Sequence, residues 1–219
     1  MNLLYKYVCL LLLLFSFSGK AQVNLDSLWS SWVDSTKKDT NRLKAIYDFT
    51  WDGYLSTQPD SAFYFAQLQY DFAKSVNNEL WKAKALRLQG LSLSGNKNEL
   101  ENPLEYFQKA LTIFKKIEHH GYISKCLLDI AKLYSVENNF QKTIEFRQQA
   151  LTYEIKKGNN TTVAHLYSHI GDLFNSEGEL EAALDYYQKC LVLRKEIGNK
   201  NELAISYNTI GNVYLDLGN

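Results

Sequence analysis

The sequence predicts an all-α chain of stacked antiparallel helix pairs, and three observations carry that prediction. Only two prolines interrupt 219 residues; proline breaks helices and strands alike, so its scarcity points to long uninterrupted helices. Apolar residues recur at i, i+3, i+4 and i+7, as in Leu127, Ile130, Ala131 and Tyr134, which is the stripe of a helix with one buried face. Above all, the chain repeats itself every forty residues. Ile130, Ile170 and Ile210 form one column, Leu127, Tyr167 and Tyr207 another, and Tyr134, Phe174 and Tyr214 a third. Ala131, Gly171 and Gly211 keep the same interval, as do Leu111, Leu151 and Leu191, and Ala110, Ala150 and Cys190. Such a period marks stacked units of supersecondary structure.

The elements follow in order. Residues 1–21 read as a secretory signal peptide: Lys6, an apolar run over Val8–Phe15, then Ser16, Ser18, Gly19 and Ala21, with cleavage expected before Gln22. The run is too short to span a bilayer, for which about 20 residues are needed. No later segment approaches a membrane span. Export is therefore expected, to the periplasmic or extracellular side of a bacterial envelope. Removing the signal takes away Lys6, Lys20 and Cys9, so 22 basic residues face 24 acidic ones and the net charge becomes −2. That balance removes the simplest argument for a nucleic-acid binder, which needs a basic surplus. Cys126 and Cys190 remain, on helices that the period places apart, and read as small buried apolar residues.

Residues 22–38 hold a leading helix, centred on Leu25, Leu28, Trp29 and Trp32 and expected over Asn24 to Ser35. Residues 39–219 form the array: pairs over 39–77, 78–118, 119–158 and 159–198, and a partial unit over 199–219 whose second helix is absent from the sequence. One extra residue between Gly90 and Ala131 is assigned to the Gly95-Asn96-Lys97 loop. Within each unit a turn falls at Asn138, Gly178 or Gly218, residues able to take the left-handed conformation that ends a helix. Pro59 is expected just before a capping Asp60, and Pro103 just after a capping Asn102. The small residues of the Ala131 and Ala110 columns are expected to let paired backbones approach closely.

At this point the chain resembles the tetratricopeptide repeat family. Its first-helix pattern appears as Tyr167, Ile170, Gly171 and Phe174, and again as Tyr207, Ile210, Gly211 and Tyr214. Gly178, Leu180, Ala183, Tyr187 and Cys190 continue it into the second helix, with Cys for the usual Ala. The period of forty exceeds the family's usual unit and resembles its longer-helix variety. In the first unit Gly53 stands where an aromatic is expected, with Tyr54 beside it. The resemblance implies a right-handed superhelical solenoid whose concave surface, lined by first helices, receives a peptide or a partner protein. Carried over residue by residue, that surface is Lys84, Arg87, Lys125, Lys132, His165, His169, Asp172, Asn208 and Asn212. The four cations are suited to grip a carboxylate through charge-assisted hydrogen bonds.

Chemistry beyond binding finds little support. His165, His169 and Asp172 share a helical face, but Leu166 stands where a zinc protease needs Glu. No Gly-x-Ser-x-Gly and no glycine-rich phosphate loop occurs, so the expectation is no enzyme, no cofactor and no metal. His119 and His120 adjoin a turn and read as solvated. The tyrosine and phenylalanine stripes read as core rather than a stacking surface, so no nucleic-acid partner is expected from this segment. Two readings follow: an exported protein–protein interaction scaffold, or the sensory portion of a larger signalling receptor with a histidine kinase or DNA-binding output. The oligomeric state is left open.

Overall fold

Helix follows helix through the computed structural model, which describes residues 19–95 and 102–218, with side chains from Leu25 onward. Residues 1–18, most of the segment read as a signal, lie outside the described residues, as do Asn96 and Lys97 of the expected loop. Ten helices run α1 Gly19–Val33, α2 Asp39–Gly53, α3 Pro59–Ser75, α4 Glu79–Ser94, α5 Pro103–Lys116, α6 His120–Val136, α7 Phe140–Lys157, α8 Asn160–Ser176, α9 Leu180–Ile197 and α10 Lys200–Asp216, with no strand among the described residues. Contacts divide the chain into two compact units, Met1–Asn98 and Glu99–Asn219. No described helix is long and apolar enough to cross a membrane.

Two turn columns fix the helix ends. Asn138 and Gly178 take positive φ (55° and 77°) between first and second helices, and Gly218 takes it (80°) just past the end of α10. Between one unit of the period and the next, Asn77, Glu118, Gly158 and Gly198 do the same (54°, 55°, 71° and 79°). This left-handed step reverses the chain with two hydrogen bonds to the preceding turn, as where Asn159 N donates to the Glu154 carbonyl and Gly158 N to that of Ile155. The following residue then caps the next helix. Asn159 Oδ1 accepts from Thr162 N at 3.3 Å, Asn139 from Lys142 N at 3.1 Å and Asn199 from Asn201 N at 3.1 Å; each cap of this kind is worth about 1 kcal/mol. Asn102 caps α5 by accepting from Leu104 N. At α3 the expectation needs correction: Pro59 is itself the first helical residue, Gln58 holds the cap position, and Asp60 lies inside the first turn.

Unit 1 is built on an aromatic interior. Ile46, Phe49 and Phe65 are buried, with Leu25, Leu28, Trp29, Trp32, Tyr54 and Leu68 packed against them. α1 is the lid of this interior: Trp29 lies 5.2 Å from Phe49 and 5.9 Å from Phe65, ring centre to ring centre. The helix begins earlier than expected, at Gly19 rather than Asn24, and ends at Val33. Gly53 now has a reason. A Cβ there would meet Leu25 Cδ2 at 2.8 Å, so the aromatic missing from this column makes room for α1, and neighbouring Tyr54 stacks into the interior 4.8 Å from Phe65. The closest helix packing in unit 1 is α3 with α4. Ala62, Ala66 and Ala73 on α3, and Ala83, Ala85 and Gly90 on α4, are small and buried.

In unit 2 the closest pairs are α6 with α7 and α8 with α9. Leu151, Val163, Leu166 and Ile170 form one buried cluster, and Ala183, Tyr187, Ile210 and Val213 another. Cys126 and Cys190 are buried and unbridged. The small-residue column works differently from the expectation. A Cβ on Gly171 would meet the Tyr187 ring at 2.7 Å, so glycine here admits an aromatic side chain rather than a neighbouring backbone.

Candidate functional site

In unit 1 the first-helix face brings Tyr47 and Trp51 of α2 beside Trp81, Lys84 and Arg87 of α4. Tyr47 and Trp51 are one helical turn apart, so their rings stack, centres 6.0 Å apart and 14° from parallel. Trp81 meets Tyr47 edge-on at 5.8 Å. The Lys84 ammonium lies 3.9 Å from the centre of the Trp81 ring and 5.8 Å from that of Tyr47, and the Arg87 guanidinium lies 5.8 Å from Trp51. Such cation–ring contacts are each worth about 0.5–2 kcal/mol, more where desolvated. Trp51 keeps 41% of its surface exposed. Arg87 corrects an expectation: only 7% exposed, it is a buried residue behind the surface rather than a solvated groove cation. The reason is that α4 is buried on several sides, with Gln89 and Ser92 enclosed as well.

In unit 2, His169 and Asp172 sit one turn apart on α8, Nδ1 to Oδ2 3.6 Å. Tyr187 of α9 donates its hydroxyl to Asp172 Oδ1 at 2.8 Å, and Arg147 of α7 donates to the His169 carbonyl at 3.3 Å. Burial pushes the Asp172 carboxyl up, but hydrogen bonds from His169 and Tyr187, with the charges of His169 and Arg147, outweigh it and hold the group below its ordinary value. Burial, followed by the Asp172 hydrogen bond and charge, raises the Tyr187 phenol. Burial lowers the Arg147 guanidinium, opposed by Asp172. These four groups tie three helices together. Asp172 is thus an anchored acceptor, though 55% of its side chain faces solvent. Among the described residues no group of three His, Cys, Asp or Glu could hold a metal ion.

The other expected surface residues stand on first helices. Lys125, Lys132, His165, Asn208 and Asn212 are all exposed, and the Lys125 ammonium lies 4.9 Å from the Tyr122 ring. A shallow cleft of about 540 Å³ opens where α5 turns into α6, lined by residues 117–122 with Lys125 and Lys157. His119 and His120 are more engaged than their turn position suggests. His119 Nδ1 accepts from Tyr122 N at 3.4 Å, and His120 lies against the Tyr153 ring at 5.6 Å.

The tetratricopeptide repeat family model matches residues 162–219. BtubC (BKLC) from P. vanneervenii shares the fold at a TM-score of 0.76 and 13% identity, over 92% of this chain and 85% of that one. A signal transduction ATPase with numerous domains from Pyrococcus horikoshii, which carries a tetratricopeptide repeat sensor, aligns at 0.72 and 16% identity over 90% of this chain. The aligned part is 30% of that protein. A Podosopora anserina chain of nearly identical TPR-like repeats aligns at 0.66 and 10% identity, over 83% of this chain and 89% of that one. Residues 162–219 thus carry the tetratricopeptide repeat signature, and the chain as a whole shares the fold of TPR-like repeat arrays. No curated protein matches it.

The repeats also explain what sequence reasoning missed. Tyr47 stands forty residues before Arg87, and Lys44 forty before Lys84. The forty-residue interval therefore reaches α2, where Trp51 follows Tyr47 by one turn. Trp81 precedes Lys84 by three residues, again on one helical face. The tetratricopeptide pattern weakens in the first unit at Gly53, and that local departure hid a face whose spacing is intact.

Proposed function

We propose that this chain is an exported scaffold, without catalytic activity of its own, that binds a peptide or partner protein along the face of its first helices. Repeats of this family point to protein–protein interaction in general. The observation that carries the reading for this chain is the division of the first helices α6 and α8 in unit 2. On α6, Ile123, Leu127, Ile130 and Ala131 are buried while Lys125 and Lys132 are exposed; on α8, Val163, Leu166, Ile170 and Gly171 are buried while His165 and His169 are exposed. Exposed polar and charged side chains one or two turns apart, held by a packed helix, form a preorganised polar surface, which lowers the cost of binding. Export rests on the sequence of residues 1–21. The test is a charge reversal of both lysines, Lys125→Glu with Lys132→Glu, titrated against an acidic peptide. Binding should weaken at least tenfold with the helical circular dichroism unchanged; equal affinity would remove this face from the reading. N-terminal sequencing of the secreted protein should begin at Gln22.

The sensory portion of a larger signalling receptor is the second reading. It draws support from the Pyrococcus horikoshii protein, in which a tetratricopeptide repeat sensor belongs to a signal transduction ATPase. A full-length transcript settles which reading applies: an output module in the same open frame selects the receptor.

A further inference from the structure

α8 and α10 of unit 2 carry the same side in sequence, and only one of them is covered. On α8, the Tyr187 ring of α9 fills the space over Gly171, and Tyr186 lies 6.2 Å from Tyr167 and 5.5 Å from Phe174, ring centre to ring centre. Forty residues on, Ala204, Tyr207, Gly211 and Tyr214 of α10 are exposed. Tyr207 keeps 55% of its surface open and Leu215, beside it, 72%. Helical spacing gathers these five residues on one side of α10, next to the Ile210 and Val213 stripe that packs on Ala183 and Tyr187. The charged groups of α10 stand off that side: Glu202 is paired to Arg194 of α9, Asp216 falls opposite by spacing, and Lys200 sits at its first turn. From α9, the Lys195 ammonium lies 5.6 Å from the Tyr207 ring and Gln188 donates to the Tyr214 hydroxyl at 3.5 Å. Both rings are thus steadied without being covered, which lowers the ordering cost of packing against them. A contiguous apolar exposure of this kind marks an interaction surface.

We propose that this side of α10 pairs with the same side of a second copy of the chain, antiparallel about a two-fold axis, each Gly211 receiving the Tyr207 ring of the other copy. It is the side that α9 covers on α8, distinct from that of Asn208 and Asn212, so the inference does not draw on peptide binding. Shape selects a second copy. Small and large residues alternate as Ala204, Tyr207, Gly211 and Tyr214, at intervals of three, four and three. Reversing the helix keeps those intervals and exchanges small for large. An antiparallel copy therefore sets Tyr207 against Gly211 and Tyr214 against Ala204, each contact made twice, ridge into notch. A parallel copy would set tyrosine on tyrosine and glycine on glycine. The fit of ring to notch is already seen in this column at Gly171, where Tyr187 packs against the glycine directly. Charge agrees with the direction: antiparallel pairing carries the exposed Lys200 to the C-terminal end of the other α10, where the helix dipole favours a cation. Gly211 then serves association, whereas Gly171 serves the folding of the single chain. One pair of helices lies at the low end of interface sizes, below about 1,200 Å², so association is expected in the micromolar range.

The experiment is sedimentation equilibrium of the full chain as exported, from about 1 µM to about 300 µM. It should show a reversible monomer–dimer equilibrium and nothing larger. Gly211→Lys puts a charge into each notch at a position where no atom lies within 4 Å. That variant should dimerise at least tenfold more weakly, with the circular dichroism of the parent and a urea midpoint no lower. Tyr207→Phe should keep the dimer, because the ring still fills the notch, and Tyr207→Ala should lose it; the pair separates lost packing from lost folding. Cysteine cross-linking reads the register. An equal mixture of Tyr207→Cys and Gly211→Cys chains should give the mixed disulfide dimer, and a mixture of Tyr207→Cys with Ile205→Cys, on another side of the helix, should not. Cys126 and Cys190 are buried and stay out of this reaction. A monomer across the whole range leaves the face to a different occupant and overturns the proposal. So does a dimer that Gly211→Lys leaves untouched, a mixed disulfide favouring position 205 over 211, or growth past the dimer with concentration, the mark of a head-to-tail contact.

Discussion

Gly171 and Gly211 occupy the same column of the repeat, forty residues apart on α8 and α10, yet their surroundings are opposite. The Tyr187 ring fills the space over Gly171, leaving a Cβ only 2.7 Å, whereas nothing lies within 4 Å of the Cβ position at Gly211. The contrast extends along both helices. Ala164 and Gly171 are buried and Tyr167 half-buried on α8, while Ala204, Tyr207 and Gly211 are exposed on α10. Identical spacing therefore fixes which face a residue occupies but not what stands opposite. The covering helix α9 turns a stripe into a core, and the glycine is a requirement only where that helix presents its tyrosine.

Substitution separates the two glycines most strongly. Gly171→Ala places a methyl against the Tyr187 ring; overpacking of this kind costs about 1–3 kcal/mol. The same change at Gly211 meets no atom and replaces glycine inside a helix, which favours folding by roughly 0.5–1 kcal/mol. Urea unfolding of the two variants should move midpoints in opposite directions. Parallel shifts would mean that the Tyr187 ring yields freely, and that the contrast is one of packing tolerance rather than of need.

The next effect concerns Tyr187 itself. Tyr187→Phe keeps the ring over Gly171 but removes the 2.8 Å hydrogen bond to Asp172, a loss of about 1 kcal/mol near neutral pH. The sign with acid follows from the Asp172 carboxyl, held below its ordinary value. Its contribution is present above the unfolded-state value near 3.9 and is lost as pH falls through the lower folded value. Removing the Tyr187 donor brings the folded value closer to the unfolded one. The variant should therefore lose less stability than the parent between about pH 4 and pH 2. Parallel acid titrations of the two would show that Tyr187 is not what holds Asp172.

Much of this arrangement was legible from spacing alone. The turn column of Asn138, Gly178 and Gly218, the buried stripes and the unbridged Cys126 and Cys190 all follow from a forty-residue interval and a helical period, whereas the face of Lys125, Lys132, His165 and His169 is an expectation from the family resemblance. What spacing could not give was the filling of space between helices. Arg87 and Lys84 are three residues apart and share a face, but α4 is enclosed, so one is buried and the other only half so. Gly53 looked like a defect because its partner Leu25 comes from outside the repeat. The Trp51 cluster was hidden for the same reason: periodicity places side chains on faces, and neighbouring helices decide which become core.

The smallest effect lies at the second turn column, where Glu118 takes the place that Gly158 and Gly198 hold in the next two units. All three have left-handed backbone, with φ of 55°, 71° and 79°. The hydrogen bonds are those of the Gly158 turn: His119 N donates to the Phe114 carbonyl and Glu118 N to that of Lys115. A side chain with Cβ pays about 1–2 kcal/mol for this conformation, and glycine gives back roughly 0.5–1 kcal/mol in unfolded-state entropy. The difference leaves Glu118→Gly more stable by about 0.5 kcal/mol. Glu118 is exposed and lines the cleft beside His119 and Lys157, so its carboxylate gives up little by leaving a solvated surface. Thermal unfolding of Glu118→Gly should show a melting temperature raised by a few degrees or less. A lower one would mean that the carboxylate holds the neighbouring cations in place, and that this turn, unlike those at Gly158 and Gly198, is kept by its side chain rather than tolerated in spite of it.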